Sequence, residues 1–220
     1  MQNMKLDNRT LQILKNFASI NPSLLFKPGN VLKTMAPTKQ ILAKATVPQT
    51  FESEFAIYEL SKFIGVLSLF NDPELRIEDK LMTIQSGRSK MRYAFADPST
   101  IIIPPEKEVK LSTPLVTLTI TASVFNDVMK AAALLKQPEV AFIAKDGELT
   151  LSAIDSSNKT KDPYDISLMP YDGSFTMIFK VEHMKPLPGD YEVTITKGIS
   201  YWKGEDVEYY IVSEHNSKFD

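Results

Sequence analysis

The chain contains no cysteine. That removes disulfide frameworks, zinc ribbons and thiol nucleophiles together, and it fits a reducing cytoplasm. Histidine is scarce as well. His183 and His215 are the two, they share no metal-ligand spacing, and each reads as a surface residue. No apolar run approaches the ~18 residues of a membrane span. Met1–Lys5 is polar and leads straight into a helical pattern, which predicts no secretory signal. A basic excess is also missing: 25 Lys and Arg face 27 Asp and Glu, for a net charge of -2. Proteins that grip phosphates tightly are usually basic overall. Any contact with DNA must therefore be loose, or the charge must be sorted by face. Neither a glycine-rich phosphate cradle nor a G-x-S-x-G elbow is present. The acid pairs Glu78-Asp79 and Glu205-Asp206 read as solvated turn charge rather than half of a magnesium site. The expectation is a binding protein with no catalytic residues, no metal and no cofactor.

What is present supports a sizeable core. The 220 residues are 43% hydrophobic and 24% charged, enough for two domains of about 100 residues each. Residues 61–84 and 123–151 share the order helix, strand, turn, strand, with Phe63 matching Phe125 and Val66 matching Val128. This predicts two similar domains in tandem, residues 1–108 and 109–220. The stretch 97–108, with its Pro-rich Ile101-Ile102-Ile103-Pro104-Pro105 run, serves as an extended connector. Asp146-Gly147 between two β-branched runs predicts a hairpin, and Asp172-Gly173 between 166–169 and 175–179 reads likewise. With further strands at 191–196 and 207–212, the fold class is α+β, mostly antiparallel sheet with a few helices.

Four helical segments are expected, at about 8–19, 59–70, 122–136 and 181–187. The first, capped by Asp7 or Asn8, gathers Leu6, Leu11, Ile13, Leu14, Phe17 and Ala18 on one side and Arg9, Gln12, Lys15, Asn16 and Ser19 on the other. The third divides the same way, with Ser123, Asn126, Lys130 and Ala133 outward. Such faces are ordinarily just solvated. Taken as a set, however, segments 5–20, 59–70, 121–137 and 180–187 carry +2, 0, +1 and +1 against -2 for the whole chain. A mildly positive helical surface on an otherwise acidic chain is a sorted field. The candidate phosphate-facing residues are Lys5, Arg9, Lys15, Lys62, Lys130, Lys136, Lys180 and Lys185, although the angle of Lys136 points towards the apolar side of its helix. Tyr201-Trp202 could stack on a base, but such pairs more often cap a core. Ile101, Ile102, Ile103 and Pro104, with Ile211 and Val212, are the candidate rim of a groove for a partner's peptide. The connector run reads equally as an edge strand blunted by proline.

Several phrases carry more than periodicity: LKNFASIN at 14–21, AIYELSKFIGVLSLFND at 56–72, GRS at 87–89, ADPST at 96–100 and MKPLPGDYEV at 184–193. In order and spacing they resemble the sliding clamps, or DNA polymerase processivity factors, of T4-type bacteriophages, from Met4 to the C-terminus. Met1–Asn3 and residues 27–50 depart from that pattern. The resemblance implies the DNA clamp fold and a homotrimer closed head to tail, with helices lining a hole around duplex DNA. It also implies loading by an ATP-driven clamp loader and docking of the DNA polymerase by a C-terminal peptide. Late-transcription factors associated with RNA polymerase are further implied partners, and the cytoplasm of an infected bacterium is the implied location. The residues by themselves leave two other readings open: a monomeric peptide-binding adaptor of two α+β domains, and an enzyme whose site is assembled from scattered residues.

Overall fold

The computed structural model describes residues 1–158 and 160–219. It divides into two compact units, Met1–Glu108 and Val109–Asp220. The first unit runs β1 (Gln2–Met4), α1 (Asn8–Ile20), β2 (Leu24–Phe26), β3 (Gly29–Met35), β4 (Ile41–Phe51), β5 (Phe55–Ile57), α2 (Leu60–Leu67), β6 (Glu74–Ile77), β7 (Leu81–Ser86) and β8 (Ser89–Ala94). The second runs β9 (Pro114–Ile120), α3 (Ala122–Leu134), β10 (Glu139–Lys145), β11 (Glu148–Ile154), β12 (Tyr164–Pro170) and β13 (Phe175–Lys180). A 3₁₀ turn (Val181–His183) follows, then β14 (Tyr191–Thr196), β15 (Ile199–Lys203), β16 (Val207–Val212) and β17 (Lys218–Phe219).

One module recurs four times in this order: a strand, a helix or its remnant, then three strands. The modules begin at β1, β5, β9 and β13, and the short β17 follows the fourth. Within each unit the two modules exchange their first strands. β1 pairs antiparallel with β6 and β5 with β2, while β9 pairs with β14 and β13 with β10. The match between 61–84 and 123–151 thus joins the second module to the third. The element order equates α1 with α3 and α2 with the 3₁₀ turn.

Local chemistry fixes the helices. The Asp7 side chain caps α1, accepting from the Thr10 N–H at 2.7 Å. That bond holds the Asp7 carboxyl below its usual range. Asn21, extended at φ -140° ψ 132° and followed by Pro22, ends the helix. The buried face of α1 is Ile13, Leu14, Phe17 and Ile20, each worth roughly 1.5–3 kcal/mol when fully buried. Thr121 caps α3, its hydroxyl accepting from the Val124 N–H at 3.4 Å. α2 has no side-chain cap and rests on the burial of Leu60, Phe63 and Leu67.

In β4, Ile41, Ala43, Ala45 and Val47 are buried in alternation. Pro48 falls where the β3–β4 register shifts, between the pairs Val31–Thr46 and Gly29–Phe51, so its missing N–H is not required for pairing with β3. Aromatic rings fill both cores. Phe26 and Phe55 stack at 4.6 Å, as do Phe55 and Phe95. In the second unit Trp202 is enclosed by Phe125, Phe142 and Tyr191, with ring centroids 5.4–6.2 Å away. Its indole N–H donates to Ser200 Oγ at 2.9 Å. Trp202 is therefore core and offers nothing to a base.

Two further expectations are corrected. Asp146 and Gly147 take φ of 54° and 86°, as a tight hairpin requires, and join β10 to β11. Asp172-Gly173 has no positive φ and joins no hairpin: β12 pairs with β11, while β13 crosses to the far side of β10. The fourth helix is a single 3₁₀ turn, because Pro186 and Pro188 bar a continuing helix.

Candidate nucleic-acid and partner interface

Each long helix buries one side and leaves a polar stripe outside. On α1 the stripe is Asn8, Gln12, Lys15 and Ser19, with Arg9 and Asn16 half-buried at its margin. On α2 it is Ser61, Lys62, Gly65 and Ser68; on α3 it is Ser123, Asn126, Lys130 and Ala133, with Asp127 beside them. α1 and α2 pack against each other. The first unit therefore shows two adjacent helices whose outer stripes hold Lys15 and Lys62 and no acid.

The eight basic candidates fall into two electrostatic groups. Lys5 is tied to Asp72, and Lys62 to Glu59 at 3.1 Å, a contact that raises the pKa of the Lys62 ammonium. Arg9 donates to Gln12 Oε1 at 3.4 Å. Lys15, Lys130, Lys136 and Lys180 are exposed and have no ion pair among the described residues. Lys136 lies beyond the end of α3 at φ 52°, a left-handed helix stop, which turns it away from the apolar face and into solvent. Lys136 and Lys180 line one open concavity of about 660 Å³, beside the buried Gln137. Lys185 is half-buried.

Two edge strands stand out for charge. Among the described residues β8 pairs only with β7, and β12 only with β11. β8 presents Lys90 and Arg92 and no acid, whereas β12 presents Asp165 and no base. Each also exposes one large apolar side chain, Met91 at 37% and Tyr164 at 40%. Beside β8 a concavity is lined by Tyr58, Glu59, Lys62 and residues 91–96. Next to β12, α3 ends on the exposed Leu134 and Leu135.

The connector begins with an Asp97-capped 3₁₀ turn (Pro98–Thr100). Asn21, buried, donates through Nδ2 to the carbonyls of Met35 at 3.0 Å and Ile102 at 3.3 Å, pinning the connector to the first unit. Ile102 and Ile103 remain 42% and 39% exposed. Ile103 and Pro104 line a groove of about 180 Å³ with Leu25, Pro28, Val31, Pro105, Lys27, Lys33 and Glu106. Ile101 is half-buried. Ile211 is fully enclosed in the core of the second unit, so it presents no groove surface; Val212 is half-buried. Sequence reasoning missed Lys27, Lys33 and Val31. The alternation in β3, with Leu32 and Thr34 inward and Val31 and Lys33 outward, was the signal available.

His183 departs from the surface reading. It is 12% exposed, with Nδ1 3.6 Å from Glu214 Oε1. His215 is exposed. Among the described residues no cluster of three or more His, Cys, Asp or Glu could hold a metal, and no helix is long and apolar enough to cross a membrane.

A family model described as "DNA polymerase processivity factor" matches residues 5–103, and another described as "gp45 sliding clamp, C terminal" matches residues 117–215. The sliding clamp of Enterobacteria phage T4 is 29% identical over 99% of this chain and 100% of its own length. That of Escherichia phage RB69 is 30% identical over the same shares. Among solved structures, A. fulgidus PCNA bound to the C-terminal region of FEN-1 superposes with a TM-score of 0.73 at 14% identity, covering 99% of this chain and 100% of that one. PCNA from Thermococcus kodakaraensis gives 0.72 at 15% identity, covering 96% and 99%.

Proposed function

This chain belongs to the sliding clamp family of T4-type phages, the non-enzymatic DNA polymerase processivity factors, and on that premise we propose how it holds DNA and partners. Three copies close head to tail into a ring, β8 of one chain pairing with β12 of the next. This is a heterologous contact that closes by rotation. The opposite charges of these two edges carry the reading: Lys90 and Arg92 repel a second β8, and Asp165 repels a second β12, so only the head-to-tail register brings opposite charges together.

The polar stripes of α1, α2 and α3 face the duplex. The lysines without ion pairs, Lys15, Lys130, Lys136 and Lys180, supply a soft field for phosphates. Lys5, Arg9, Lys62 and Lys185 lie nearby with part of their charge already engaged. A tight electrostatic site would resist sliding and would fail steeply with salt. Enclosure separates the two demands, since closure retains the DNA while weak contacts let it move. The stripes offer amide, hydroxyl and ammonium groups suited to phosphates and no paired base-reading set.

The DNA polymerase docks a C-terminal peptide in the connector groove at Ile103 and Pro104. An ATP-driven loader opens the ring, and RNA polymerase-associated factors use the same protein in late transcription, in the cytoplasm of an infected bacterium. The test is the solution mass by light scattering, followed by retention on closed circular against linear DNA. A trimer that stays on circles and runs off free ends is expected. A monomer at micromolar concentration, or equal retention on both DNAs, overturns the ring and favours a monomeric peptide-binding adaptor.

A further inference from the structure

The connector groove already contains a carboxylate. Glu106 forms an ion pair with Lys27 across its mouth, and Lys33 lies on the same wall. Both lysines act on one point, since the Glu106 carboxyl is held below its usual range first by Lys27 and to a lesser degree by Lys33. The rest of the wall is apolar: Leu25, Val31, Ile103, Pro104 and Pro105. The groove, at about 180 Å³, is comparable with the ~150 Å³ cavity that admits a benzene ring. A single large apolar side chain next to a carboxylate would therefore fill it and satisfy it.

The two halves of the connector are held differently. Upstream, Asn21 fixes the Ile102 carbonyl from inside the unit. Downstream, residues 105–108 are exposed, and the Glu106 side chain is 80% exposed. An ion pair that open to water is weak and readily exchanged.

We propose that Glu106 is a built-in competitor: it occupies Lys27 in the empty groove and swings away when a partner segment bearing an apolar side chain and an adjacent carboxylate enters. The proposal rests on the groove reading above and adds its gate and the charge of its ligand. The incoming carboxylate takes Lys27 and Lys33, and the displaced Glu106 returns to water. Two lysines against one internal carboxylate leave the groove net positive even when latched, so acidic segments are favoured and basic ones excluded.

The experiment is fluorescence anisotropy with the full-length protein and two labelled eight-residue peptides. One has a Phe followed by Asp and a free C-terminus; the other carries Asn in place of the Asp and an amidated end. Glu106→Gln should tighten the acidic peptide about two- to fivefold and leave the neutral one unchanged. Lys27→Gln should weaken the acidic peptide and erase the effect of Glu106→Gln. Equal affinity of wild type and Glu106→Gln for the acidic peptide overturns the latch, as does equal tightening of both peptides. Ile103→Asp separates the two levels. If it abolishes binding of both peptides while Glu106→Gln changes nothing, the latch alone falls. If it leaves both peptides bound as before, the groove reading falls and the latch with it.

Discussion

The second and fourth modules have the same strand order but different content where the helix belongs. The second module has α2, two turns built on Leu60, Phe63 and Leu67. The fourth has only the Val181–His183 turn, followed by a segment with Met184 and Pro186 buried. A helix satisfies its own backbone groups. The fourth-module segment instead borrows partners: the Leu187 N–H donates to Tyr209 Oη at 3.1 Å, and Tyr191 Oη donates to the Leu187 carbonyl at 2.7 Å. The helix is thus dispensable to the module, provided large aromatics take over both the packing and the polar satisfaction. The electrostatic consequence is local. The first unit offers two adjacent polar stripes, the second one stripe and the Lys136–Lys180 concavity.

If aromatics replace the helix, removing their centre should damage the second unit most. Trp202→Ala should cost about 3–5 kcal/mol and appear in calorimetry as an early transition of the second unit, with the first unit's transition in place. A single late transition would refute this division. The edges come next. Arg92→Glu should break the trimer into monomers at micromolar concentration, and Arg92→Glu combined with Asp165→Arg should restore it, read by light scattering. A double variant that stays monomeric counts against β8–β12 pairing.

The helical stripes are expected to matter unequally. Arg9→Glu with Lys15→Glu should shorten primer extension on long templates several-fold while the trimer persists, and Lys130→Glu should do less, since it reverses one charge rather than two. Unchanged extension in the double variant would remove α1 from the DNA face. The smallest effect concerns the caps. Asp7 titrates and Thr121 does not. The folded pKa of Asp7 is depressed, so its contribution is present above its unfolded value near 4 and is lost as pH falls through the lower folded value. Lowering pH from 6 to 3 should therefore raise hydrogen exchange in α1 more than in α3. The cap contributes about 1 kcal/mol, and equal loss in both helices would assign the acid sensitivity elsewhere.

Features written in neighbouring residues were legible in the sequence. Asp7 before an apolar stripe marked the start of α1, and Asp146-Gly147 marked a hairpin because the turn's φ values belong to those residues alone. Asp172-Gly173 misled for the converse reason. Whether two strands pair depends on which third strand lies between them, and β13 answers to β10, more than thirty residues upstream. The 3₁₀ turn was overread as a helix because Val181, Met184 and Leu187 keep helical spacing while Pro186 and Pro188 forbid the ladder. At the candidate interface the lysines on helices could be listed from charge. Their division into paired and unpaired could not, since Asp72 reaches Lys5 from the loop before β6. The connector's isoleucines were visible as an exposed apolar run, but Lys27 comes from the turn between β2 and β3, and Lys33 from a strand whose facing was ambiguous until the register of β3 against β4 was known.

The exchange of first strands bears on how this protein is made. On the ribosome β1 emerges with no partner in existence, for Gln2 must wait until Ile77 has been synthesised. At about 5–20 residues per second that is roughly four to fifteen seconds. Neither module of a unit can complete its sheet before the other arrives, so nascent chains carry unpaired strands through the interval, and a ribosome stalled between β1 and β6 would hold a strand with nowhere to go.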